Sequence, residues 1–156
     1  MYNFVSNQLT LMSNNFCHTT LPWKQRSTAI GISCFIFILP AFAITTVGPT
    51  QTILKILFPS QSAIALASDW WWSGQRHWSH GADKWHACLF LLYVIILTGK
   101  KIHIMFPVVS IAPLYSWYLA KDAVKRGSWE DYVFYHSMWH YLGCSLCYMG
   151  MYLSYG

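Results

Sequence analysis

His136-Ser-Met-Trp-His140 sets two imidazoles four residues apart, which on a helix brings both to one face and within reach of one metal ion. His77, His80 and Asp83 recur at intervals of three and form a second stripe if the helix that carries them starts early. Ser68, Asp69 and Ser73 lie just before that stripe. His86 falls off it, and His103 belongs to the opposite end of the next span, so neither is counted as a candidate. These are the residue types that zinc chemistry uses. Three neutral imidazoles bind Zn²⁺ and leave a fourth position for a water, whose pKa falls to about 7. A nearby carboxylate can take the proton or orient the water. A serine hydroxyl can hydrogen-bond the water or a developing oxyanion.

Whether these residues meet depends on the elements that carry them. The 156-residue chain is 55% apolar and 18% aromatic but only 10% charged, where soluble domains carry roughly 25% charged residues. So few charges cannot cover a water-facing surface, and lipid is the expected solvent. No charged side chain occurs between Arg26 and Lys55, and a helix needs about 20 apolar residues to cross a bilayer core. The pattern predicts an all-α integral membrane protein of the multi-pass type, a bundle of about five transmembrane helices. The expected spans are 28–47 with a kink at Pro40, 51–72, 79–99, 102–120 and 131–154, after a polar tail, 1–26, expected to be flexible. Trp70-Trp71-Trp72 suits a membrane–water boundary.

The third span is short. Its charge-free stretch from Trp85 to Gly99 covers roughly 22 Å at the helical rise, against a hydrocarbon core of ~30 Å. Either the bilayer thins, or the helix starts earlier and carries His80, Asp83 and Lys84 inward. Basic residues set the orientation. Lys24, Arg26, Arg76, Lys84, Lys121, Lys125 and Arg126 fall on one side and only Lys100 and Lys101 on the other, which predicts a cytosolic N-terminus. The second span then descends to the inner face, where the third and fifth begin. Ser68, Asp69 and Ser73, then His77, His80 and Asp83, then His136 and His140 converge at one depth. Ionisable groups placed there are costly and usually functional.

Several classes are excluded. The net charge of +5 is dispersed among short inter-helix segments, so no nucleic-acid footprint exists, and the partners it suits are anionic membrane lipids. The N-terminus lacks the basic start and early apolar core of a secretory signal. The five cysteines form no disulfide framework, and Cys144-x-x-Cys147 reads as two small packing residues one helical turn apart.

Ser73-Gly-Gln-Arg-His77 followed by Asp83 and a final-span His136-x3-His140 resembles the alkaline ceramidase / adiponectin-receptor (CREST) membrane hydrolase superfamily, as a divergent and shortened relative. The resemblance covers a small part of the chain. It implies His77, His136 and His140 as zinc ligands, Asp83 and Ser73 assisting a water, and hydrolysis of a lipid amide or ester. The family normally has seven spans, and its Asp lies farther from the first His than here. His80 competes with His77 as ligand, and Ser68 with Ser73. If Trp70–Trp72 marks the interface, Ser68 and His80 are the more sheltered pair; both versions stand. Two other functions fit the same residues: a non-catalytic small membrane protein, serving as a complex subunit or lipid-interaction protein, and a haem carrier with axial histidines on facing helices.

Overall fold

The structure, a computed structural model, describes residues 21–98 and 109–156. Residues 1–20 of the tail and 102–108 of the expected fourth span, with His103, Lys100 and Lys101, lie outside the described residues. Every described element is helical. Ser27 caps the first helix, α1 (Thr28–Phe35), its hydroxyl accepting from the Ile30 amide at 3.4 Å. A 3-10 turn, Ile36–Ile38, leads into α2 (Leu39–Phe42). Pro40 has no N–H to offer the Ile36 carbonyl. That carbonyl instead accepts from the Leu39 amide and, across the bundle, from the Cys144 thiol at 2.9 Å.

Helix α3 (Pro49–Ala65) opens on a proline, holds Pro59 inside, and passes directly into a π-helical turn, Leu66–Trp71. Helix α4 (Ser79–Thr98) starts early enough to carry His80, Asp83 and Lys84 in its first two turns. Helix α5 (Ile111–Arg126) ends at Gly127, whose φ of 72° is the left-handed conformation that stops helices. Beside that end the Asp122 and Asp131 carboxylates accept from Arg126, which pushes the guanidinium pKa up. Helix α6 (Trp129–Tyr155), 27 residues long, is the central element, packing along α5, α1 and α2. Its far end is tied to the α2–α3 loop, where the Thr45 and Thr46 amides both donate to the Tyr155 carbonyl.

Two apolar clusters flank the middle of this bundle. One joins Ala43, Ile44, Leu54, Phe58, Phe90, Val94 and Met151. The other joins Ile30, Cys34, Ala65, Ala120, Ala123 and Tyr132. Between them the interior is polar: Ser33, Gln61, Ser62, Ser68, His80 and His140 are buried. The surface is the reverse, with Val47 92%, Phe42 73% and Leu153 66% exposed. Among the described residues, α4 alone is long and apolar enough to cross a membrane; Thr28–Phe42 is apolar but shorter.

Candidate metal centre

The π-helical turn is where the site begins. An α-helix repeats every 3.6 residues, and the wider turn at Leu66–Trp71 resets that register, an irregularity frequent at functional sites. It turns Ser68 and Asp69 inward, toward α6 and α4. Two contacts hold it in place. The Arg26 guanidinium lies 5.3 Å from the ring centres of both Trp70 and Trp71. Gly31 of α1 gives Trp70 its seat, since a Cβ there would stand 2.8 Å from the indole Cδ1.

Asp69 is the hub. Its Oδ2 lies 3.0 Å from His136 Nε2 and 3.5 Å from His140 Nε2, and its Oδ1 accepts from the Ser68 hydroxyl at 3.0 Å. The two rings of the H-x3-H pair lie side by side, their centres 4.7 Å apart. His140 is 3% exposed, with Phe37 against its ring edge. On its other side, Nδ1 lies 2.8 Å from Ser33 Oγ and 3.9 Å from Cys34 Sγ. A ring nitrogen of His140, a carboxylate oxygen of Asp69 and Cys34 Sγ all fall within 4.8 Å of one another.

Counting protons assigns roles to these contacts. Ser33 has one hydroxyl proton, and it goes to the Ile30 carbonyl at 2.8 Å. The short Ser33–His140 contact is then Nδ1–H donating to Oγ. A neutral His140 so arranged presents the Nε2 lone pair to the Asp69 carboxylate, and a cation or a proton must stand between them. Tetrahedral ligands held about 2.1 Å from a zinc ion are about 3.4 Å apart, close to both Asp69–His separations. An imidazole ligand whose second nitrogen donates to an outer partner is the usual metal-site arrangement. Cys34, Asp69 and His140 together could hold a metal ion, with His136 joined to the same Asp69 oxygen at 3.0 Å.

His80 is next to this centre without sharing it. Its Nε2 faces the Gln75 carbonyl at 2.8 Å and must donate; its Nδ1 lies 3.0 Å from Ser68 Oγ. Ser68 thus has one proton and two acceptors, Asp69 Oδ1 and His80 Nδ1. The sequence left His77 against His80 and Ser73 against Ser68 open, and the structure brings His80 and Ser68 to the hub. His77 stacks on Trp72, ring centres 4.2 Å apart, and bonds Ser79. Ser73 is buried with no hydrogen-bond partner among the described residues. Asp83 joins a separate group, accepting from Gln61 Nε2 at 2.8 Å, and Gln61 Oε1 in turn meets His86 Nδ1 at 2.7 Å.

Three residues at the centre were not among the candidates. Asp69 was placed at the right depth, but no metal-ligand spacing marks it. Ser33 and Cys34 sit in an apolar run, where a small polar side chain usually signals helix packing. Their only signal is position: both fall on the inward face of a span that must cross the same depth. An apolar groove of about 500 Å³, lined by Ala29, Val133, Phe134, Met138 and Tyr141 among others, lies on the neighbouring face of α6. Asp69, His136 and His140 are not among its lining.

No protein-family model, no curated protein and no solved structure matches this chain.

Proposed function

We propose that the chain is a multi-pass membrane hydrolase, dependent on zinc, that cleaves a lipid amide or ester with water. The observation that carries the reading is the meeting of Asp69, His136 and His140 at 3.0 and 3.5 Å in the interior, from elements 67 residues apart in the chain. The many exposed large apolar side chains, among them Val47, Phe42 and Leu153, support a lipid surround, because soluble monomers rarely expose so extended an apolar surface. With the polar groups inward, the other helices can cross the bilayer beside α4 as parts of a bundle, each sheltering its polar residues against its neighbours.

A zinc ion held by Asp69, His136 and His140 would supply a Lewis acid able to make water nucleophilic near neutral pH. The chain's own groups do the rest. Ser33 fixes the tautomer and tilt of His140. Asp69 Oδ1, Ser68 and His80 form a hydrogen-bonded line along which a proton can pass from the centre to His80 Nδ1, which keeps it, since Ser68 can accept at one end as it donates at the other. The line ends at the Gln75 carbonyl, in an exposed loop. His80 is thus a proton carrier in this reading rather than a ligand.

Cys34 favours a second reading. If its thiolate also binds, four protein ligands close the site, and closed zinc sites are structural. The chain would then be a non-catalytic membrane component. Replacement by serine decides between the two. In Cys34→Ser an open catalytic site keeps its zinc and its hydrolytic activity, whereas a closed structural site loses zinc and thermal stability together.

A further inference from the structure

The groove on the face of α6 lies against α1. The two helices run in the same direction, since Trp23, just before α1, meets Trp129 with ring centres 5.3 Å apart and, farther along, Ser33 meets His140 at 2.8 Å. Short side chains leave the space between them: Ser27 and Ala29 on one side, Val133 and Ser137 on the other. The resulting volume of about 500 Å³ falls within the usual range of ligand sites, about 300–1,000 Å³. From Trp129 to Tyr141 the groove follows roughly 18 Å of α6 at the helical rise. That is close to one leaflet, half of a hydrocarbon core of ~30 Å.

Two polar features separate this groove from a mere gap in the packing. Ser137 is 6% exposed and lines the groove, and its hydroxyl has no hydrogen-bond partner among the described residues. A buried hydroxyl without an acceptor is costly, and a lipid brings one to this depth as an ester or amide carbonyl. The second feature is Glu130, at the Trp129 end. It is exposed and forms no ion pair among the described residues, because the nearby Arg126 guanidinium is taken by Asp122 and Asp131. Trp129 beside it is held by Trp23 and Tyr132, ring centres 5.3 and 5.8 Å away. A carboxylate next to a fixed indole suits an ammonium group.

Glu130 and Ser137 stand roughly 10 Å apart along α6, and beyond Ser137 the lining is Met138 and Tyr141. Amine, carbonyl and hydrocarbon is the order of groups in an amine-headed membrane lipid. We infer that the groove is a binding site for one such lipid, its ammonium at Glu130 and Trp129, its carbonyl accepting from Ser137 and its acyl chain along Met138 and Tyr141. The inference rests on the lipid surround proposed above and is independent of zinc, since Asp69, His136 and His140 do not line the groove.

The test is photocapture by the full chain in nanodiscs of equal phosphatidylethanolamine and phosphatidylglycerol. A benzophenone side chain replaces Tyr141, an aromatic residue 40% exposed, or, as reference, Leu92 on α4, 55% exposed, and adduct masses identify the captured lipid. At Tyr141 the phosphatidylethanolamine adduct is expected to exceed the phosphatidylglycerol adduct about threefold or more, the worth of one weak ion pair. At Leu92 the two should be equal. Glu130→Gln should equalise them at Tyr141. Ser137→Ala should lower total capture at Tyr141, and Ala29→Phe, which fills the groove from an exposed position of α1, should abolish the preference. The preference is expected to persist after chelation of metals. Equal capture at Tyr141, a preference unchanged in Glu130→Gln, or adducts to a second copy or another segment of the chain in place of lipid would overturn the inference. Failure of the chain to enter nanodiscs overturns the lipid surround as well, whereas an inserted chain without the preference overturns the groove site alone.

Discussion

A carboxylate that meets two imidazoles in a packed interior has to be balanced by something. At the residue scale, the single Asp69 oxygen shared by His136 and His140 gives the account its sharpest expectations. Asp69→Asn keeps shape and removes one negative charge from the donor set. It should abolish stoichiometric zinc while leaving the far-UV circular dichroism of the solubilised protein unchanged; retained zinc would remove Asp69 from the site. Ser33→Ala removes the acceptor that sets the His140 tautomer. Outer partners of this kind contribute about 10–100-fold in metal affinity, and a chelator titration should find a loss in that range. An unchanged affinity would mean that the Ser33 contact is packing only. The H-x3-H pair was legible in the sequence because helical spacing alone puts the two rings together. Asp69 and Cys34 were not, because a residue brought in from a distant helix is recognised by its neighbours in space, and nothing in its own flanks records them.

At the scale of elements, the site depends on a change of helical register. Asp69 points inward because α3 widens into a π-helical turn, and that turn is anchored where Trp70 covers Gly31. Gly31→Ala should force the indole away, with a cost of about 1–3 kcal/mol as for other overpacked interiors. It should lower both the thermal midpoint in detergent and the zinc content. Gly127→Ala is the control. Nothing lies within 4 Å of the added methyl there, so only the left-handed backbone objects, by about 1–2 kcal/mol, and zinc should stay. Loss of zinc in both variants would mean that the centre follows global stability rather than the position of Trp70. The sequence indicates where helices run but not their irregular turns. Pro40 and Pro59 mark places where the ladder must adapt, whereas the π-helical turn follows Ala65 with no proline or glycine within it. The register of Ser68 and Asp69 therefore could not be read. The start of α4 could be narrowed to two options, since a charge-free stretch too short for a bilayer demands either thinning or an earlier start.

For the molecule as a whole, the bundle exposes many large apolar side chains and buries hydroxyls, amides and imidazoles beside its two apolar clusters. The charge-free apolar runs, such as that between Arg26 and Lys55, made the all-helical class legible. Topology is where length alone falls short: α4 meets the length and hydropathy that a crossing demands, and the other helices depend on their neighbours to shelter polar groups. If they do so in lipid, the protein should stay with membranes through alkaline carbonate washing and leave them only in detergent; release by carbonate would place it at the surface.

Metal content by elemental analysis of the gently solubilised chain, beside a His136→Ala/His140→Ala double variant of equal helicity, decides whether the interior cluster holds zinc. One zinc ion per chain, lost in the double variant, is the expected result. A metal-free protein that takes up no zinc on addition, or zinc retained without the two histidines, would contradict it.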